Sequence, residues 1–222
     1  TTFGMGNPDT TLYDVMSITK AVIGLMYIDV DGYDDLLNME GYIENWDYDD
    51  FRRQVRQNTN LKKYALDRIE KTSTDFSYCN LAYQVLASEM EEIAFKFGEF
   101  VDRPVVKKTR RWVYGNGWKW EHCNGQALGP HGLHITKEIG YIIGIKAKPL
   151  LKLSLGIPLK EGWQGYGKNV LEKFWHGWFI KDKTAFAIGY VSQTIAIKTN
   201  RVEIDFYIED WDNPRTENRL IT

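Results

Sequence analysis

Cysteine is scarce: Cys79 and Cys123 are the two in 222 residues, and they allow at most one bridge, which excludes a disulfide-stapled scaffold. Charge of one sign is also lacking. The chain has 28 basic and 30 acidic residues, a net charge of −2, without the footprint of a nucleic-acid binder. Long apolar runs are missing too. The longest, 21–28, stops at Asp29, well short of the ~20 residues that a membrane span needs. No signal-peptide pattern opens the chain, which favours a cytoplasmic setting. Repeats and low-complexity segments do not occur. With 43% hydrophobic and 26% charged residues, the balance is that of a globular domain. Aromatics are what the chain has in quantity. Its 8 Trp, 13 Tyr and 10 Phe suit either a large core or a groove lined with rings.

The run 17–30 places Ala21, Val22, Ile23, Leu25, Met26, Tyr27 and Ile28 on every face of a helix. A helix that is apolar all round is buried. Gly24 within it costs about 1 kcal/mol against alanine, so a close neighbour is expected there. The middle of the chain is richer in charge and predicts helices over 50–57, 61–71 and 81–97. Residues 111–132, rich in Trp, Gly, Asn and His, read as an irregular loop, and 136–145 as another helix. The last fifty residues change period. Strands are predicted over 175–180, 185–191, 194–197 and 202–208, with tight links at 181–183 and 199–201. Short links favour an antiparallel meander. The expected fold is therefore α/β of the α+β kind, an antiparallel sheet flanked by helices and interrupted by an all-helical insertion. One domain spans 1–222, with an α/β lobe of about 1–33 and 136–222 and a helical lobe of about 34–135.

Two short motifs carry potential chemistry. Ser17-Ile18-Thr19-Lys20 is an S-x-x-K, and positions three apart share a helix face, so the amine can reach the hydroxyl. Chance alone predicts about 0.5 such tetrapeptides here, and Ser17 could simply cap the helix. Its context is more telling, because a neutral lysine needs the burial this helix supplies and a cap does not. Tyr78-Cys79-Asn80 lies just before a second apolar helical pattern; a buried structural tyrosine is the plainer alternative. His122, Cys123, His131 and His134 fall close together, but their spacing fits no standard zinc site. Asp29, Asp31, Asp34 and Asp35 surround a Gly32 misplaced for a calcium loop. No metal or organic cofactor is expected.

Read in order, the segments form a pattern. After the S-x-x-K come Ile28-Asp29-Val30-Asp31-Gly32-Tyr33-Asp34-Asp35-Leu36-Leu37, then Phe76-Ser77-Tyr78-Cys79-Asn80-Leu81-Ala82-Tyr83-Gln84-Val85-Leu86, then His131-Gly132-Leu133-His134-Ile135-Thr136. The set resembles the serine β-lactamase, penicillin-binding protein and carboxylesterase superfamily, on the branch nearest class C enzymes. Where that family carries a K-T-G strand, this chain has Ala187-Ile188-Gly189-Tyr190, similar to the A-x-G of esterase-like members.

The resemblance implies a serine hydrolase acting on a small ester or amide. Ser17 would be the nucleophile, with Lys20 and Tyr78 sharing general acid and base work. The N–H groups of Ser17 and Tyr190 would form the oxyanion hole. Asn80 would orient Lys20 or the substrate, Ile188 and Gly189 would line the substrate strand, and Trp118, Trp120, Trp175 and Trp178 would supply walls. A β-lactamase or D-alanyl-D-alanine carboxypeptidase and an inactive homologue kept as a binding module are the alternatives. Neither nucleic acid nor a membrane is an expected partner, and homo-oligomerisation stays open.

Overall fold

The computed structural model describes residues 9–151, 157–158, 173–190 and 193–208, with Asp212 and Leu220. The predicted turn-rich residues 4–8, and Val191 and Ser192, lie outside the described residues.

The chain enters as β1 (Tyr13–Asp14) and turns straight into α1 (Ile18–Met26), every residue of which is buried. Next come α2 (Asp34–Leu37), β2 (Glu40–Glu44), α3 (Tyr48–Arg56), α4 (Leu61–Leu66) and β3 (Ile69–Phe76). Then follow α5 (Asn80–Glu89), α6 (Ile93–Phe100), β4 (Val105–Lys108), β5 (Trp112–Gly115), β6 (Trp118–Cys123), β7 (Gln126–Ala127) and β8 (Leu133–Ile135). The last part holds α7 (Lys137–Ala147), β9 (Ile157–Pro158), β10 (Lys173–Trp175), β11 (Trp178–Lys181), β12 (Thr184–Gly189), β13 (Gln193–Ile197) and β14 (Val202–Asp205).

The protein is mixed α and β with antiparallel sheets, as expected. The terminal strands make one sheet in the order β14-β13-β12-β11-β10-β9. A second runs β1-β8-β6-β5-β4, with β7 beside β6, and β2 pairs with β3. α1 packs against β12 and β13 and against α5 and α6, so it lies at the centre of the main core. α7 covers β13 and β14. A smaller core of Phe51, Val55, Leu61, Tyr64, Leu81, Val85 and Leu128 ties α3 and α4 to α5. No described helix is long and apolar enough to cross a membrane.

The segment 34–135 is not all-helical. Besides α2 to α6 it holds the β2–β3 pair and most of the second sheet. β3 reads I-E-K-T-S-T-D-F and is exposed along most of its length, so it shows no apolar alternation. The expected loop at 111–132 is instead the β5–β6–β7 meander, turned at Asn116-Gly117 and Asn124-Gly125. The expected long helix 81–97 is broken at Met90–Glu92, where Glu92 is left-handed (φ 55°). The segment predicted as one strand at 175–180 is a hairpin reversed at His176-Gly177, with φ of 49° and 86°. Both residues at positive φ is what a two-residue turn matched to strand twist requires.

At the C-terminal strand the predicted alternation stops early. Ile208 is exposed, and pairing ends at Asp205. Beyond it the Gln193 side chain takes over the ladder, donating to Tyr207 O at 2.7 Å and accepting from Tyr207 N at 3.0 Å.

Candidate active site

Ser17 stands at the N-cap of α1 with helical backbone angles (φ −68°, ψ −6°), and its side chain caps nothing. The hydroxyl is engaged elsewhere. Lys20 Nζ donates to Ser17 Oγ at 2.6 Å, and Tyr78 OH donates to the same oxygen at 3.0 Å. The simple-cap alternative therefore fails. One helical turn separates the serine from its lysine, and Tyr78 reaches them from the segment entering α5. Just before the serine, Met16 is held at φ 49°, a conformation that costs a residue with a Cβ about 1 kcal/mol or more.

Lys20 is buried, and its Nζ also donates to Pro130 O at 2.9 Å. Burial pulls its pKa down to about 7, with the Glu44 carboxylate and Cys79 pulling the other way. Burial pushes Tyr78 the opposite way, well above the ordinary phenol value, and the bond to Ser17 only partly offsets it. At neutral pH the phenol thus stays protonated, while burial favours the free amine of the lysine. Leu133, which follows the turn that binds Lys20, is fastened once to α1 and once to the segment before it. Leu133 N donates to Thr19 Oγ1 at 3.2 Å, and Val15 N to Leu133 O at 3.4 Å.

Gly189, at the end of β12, runs against the backbone just ahead of the serine. A Cβ built on it would lie 2.3 Å from Val15 O. That approach brings the strand carrying Ile188, Gly189 and the exposed Tyr190 alongside the start of α1. Ile188 itself is buried in the core, so its side chain is not presented at the surface.

Asn80 is not turned toward Lys20. Its Nδ2 donates to Glu44 Oε1 at 3.0 Å. The tryptophans also depart from the expected walls. Trp118 is fully buried, packs edge-on against Phe97 and donates to Arg103 O at 2.8 Å. Trp120 is equally buried and donates to Leu128 O. Trp178 is buried against α1, its indole N–H on Ala21 O at 3.2 Å, and Trp175 stacks on His176. The indole N–H groups of Trp118, Trp120 and Trp178 are satisfied by carbonyls of the fold, and all four rings are buried. These four tryptophans go into packing.

The four candidate zinc ligands do not converge. Among the described residues no group of three His, Cys, Asp or Glu side chains could hold a metal ion. Cys123 is buried against the carbonyls of Val55 and Thr59. His131 lies between the Tyr48 and Phe51 rings, and its Nε2 is buried with no hydrogen-bond partner. Burial, with the Arg52 and Lys20 charges, holds its pKa down to about 3. Between about 3 and the ordinary 6.5, the unfolded chain binds a proton there that the folded chain does not, so stability falls as pH drops through that window. In His131→Phe that acid-side slope is expected to flatten in urea titrations between pH 6 and 4. An unchanged slope would remove His131 from the acid response.

Sequence reasoning missed Glu44, whose carboxylate meets the start of α5, and the Pro130 carbonyl that binds Lys20. Neither has a signature in the linear chain. No protein-family model matches this chain, and no curated protein matches it either.

Proposed function

We propose that this protein is a serine hydrolase that cleaves an ester or amide through an acyl-enzyme on Ser17, in the manner of the serine β-lactamase and penicillin-binding protein superfamily. The observation that carries the proposal is Ser17 Oγ held by both Lys20 Nζ and Tyr78 OH, at 2.6 and 3.0 Å. A hydroxyl is a weak nucleophile until a base takes its proton. Lys20, with a pKa brought to about 7, is the better base at neutral pH, while Tyr78 stays protonated and can relay the proton from Lys20 to the leaving group.

In this mechanism Ser17 Oγ bonds to the substrate carbonyl carbon as its proton moves to Lys20 Nζ. Tyr78 OH then protonates the leaving group as the carbonyl–heteroatom bond breaks, and regains its proton from Lys20. Water reverses the path to release the acid. The Ser17 N–H precedes α1, where amides have no intrahelical partner, and with the Tyr190 N–H it would stabilise the oxyanion, at about 3 kcal/mol per donor. A neutral ester or amide is favoured over a β-lactam because Ala187-Ile188-Gly189 has no lysine where the superfamily reads K-T-G.

The test is intact mass after exposure to an alkyl fluorophosphonate. One adduct on the folded chain, absent in Ser17→Ala, is expected. An unmodified wild-type mass, or an equal adduct in Ser17→Ala, would overturn the assignment. Turnover of a fluorescent penicillin would shift the substrate to β-lactams.

A further inference from the structure

We propose that Glu44 is a positioning residue of the Ser17–Lys20–Tyr78 cluster, fixing where Tyr78 stands and supplying the negative charge that faces Lys20. The inference rests on the serine-hydrolase reading. Glu44 ends β2, and its carboxylate crosses to the start of α5. Oε1 accepts from Asn80 Nδ2 at 3.0 Å; Oε2 accepts from Leu81 N at 2.8 Å and from the Cys79 thiol at 3.4 Å. The three residues that follow Tyr78 thus all donate into one side chain. Cys79, at the N-cap of α5, makes no side-chain cap of its own. Glu44 is the cap, brought in from a strand, at the helix end where the dipole favours an anion. Any slack in this clamp moves Tyr78, the next residue back along the chain.

The charge argument builds on the clamp, which fixes the Glu44 carboxylate on the residues next to Tyr78. Lys20 is faced by Ser17 on its own helix, by Tyr78 and Cys79 from the segment entering α5, and by Pro130 O and His131 from the turn before β8. Tyr78 and Cys79 are held protonated and His131 neutral near pH 7. His176, on the β10–β11 turn, directs Nδ1 to Gly24 O. The Coulombic pull on Lys20 comes first from Glu44 and then from Cys79. It favours the ammonium form and so opposes the burial that frees the amine.

The experiment reads two quantities on the full chain. One is the titration midpoint of Lys20, from ¹³C-lysine NMR assigned with Lys20→Arg. The other is the pH profile of fluorophosphonate labelling at Ser17. In Glu44→Gln both midpoints are expected to move to lower pH by about half a pH unit, because the carboxylate charge is gone. In Glu44→Asp the charge stays and the reach shortens. There the Lys20 midpoint should hold while labelling slows about tenfold, since a misplaced catalytic group loses rate steeply. A folded Glu44→Gln with an unmoved Lys20 midpoint would overturn the electrostatic role. Full-rate labelling in Glu44→Asp would overturn the positioning role, even if Glu44→Gln did not fold. Absence of labelling in the wild type would instead count against the hydrolase reading, and the NMR midpoints would still decide the part played by Glu44.

Discussion

Replacing Lys20 with methionine is expected to slow Ser17 acylation by about a thousandfold and to remove a pH dependence from folding stability. The kinetic part follows from the proposed mechanism: the amine that would act as base lies 2.6 Å from Ser17 Oγ, and general-base assistance contributes about 10²–10⁴-fold. The stability part follows from burial. The folded-state pKa is lowered from 10.5 to about 7. Between those values the unfolded chain holds a proton that the folded chain has released, so stability rises with pH across the window. Put the other way, wild-type stability falls as pH drops from about 10 to about 7, by on the order of 1.4 kcal/mol per pH unit. Methionine has no such proton. Losing the bond to Pro130 O costs about 1 kcal/mol at any pH and leaves the slope untouched. Urea unfolding at pH 7 and pH 9.5 reads the difference. The variant's standing relative to wild type should be best at pH 7 and worsen toward 9.5. A constant gap would mean that Lys20 is not buried as an amine.

How much of this was legible in the sequence depends on how locally each feature is written. The Ser17–Lys20 contact spans one helical turn inside an apolar run, so spacing and composition both point to it. The terminal meander is legible for a similar reason, because its strands are apolar and its links two or three residues long. The second sheet was missed although a signal was present. Asn116-Gly117 and Asn124-Gly125 are hairpin dipeptides flanked by strand residues, and Trp118 and Trp120 alternate with Lys119, but the Gly, Asn and His content of the segment masks that pattern. β3 had no signal of this kind, since its side chains are nearly all polar and exposed. The tryptophans show a different limit. Composition counts rings but cannot say whether an indole N–H ends on a carbonyl of the fold or faces a ligand. Asn80 and Glu44 are 36 residues apart, and only the pairing of β2 with β3 brings that carboxylate to the start of α5.

The largest stability effect is expected at Gly24, where the sequence pointed to a close neighbour and the structure supplies one. A Cβ on Gly24 would lie 1.7 Å from the His176 carbonyl oxygen and 2.5 Å from its carbon. Both are backbone atoms at the apex of the β10–β11 turn, so no side chain can rotate aside. To admit a methyl group, the turn must withdraw by well over 1 Å. That motion would strain three bonds: His176 N to Asn38 Oδ1, His176 Nδ1 to Gly24 O, and Trp178 Nε1 to Ala21 O. Alanine gains about 1 kcal/mol over glycine within a helix, but overpacking at a rigid contact plus strained buried hydrogen bonds outweighs it. Gly24→Ala is expected to cost about 3 kcal/mol or more, read as a lower urea midpoint. Gly125→Ala is the control. Its φ is 75° and its Cβ would meet nothing within 4 Å, so only backbone strain of about 1–2 kcal/mol applies. If Gly24→Ala proved no worse than Gly125→Ala, the packing of the β10–β11 turn on α1 would be wrong.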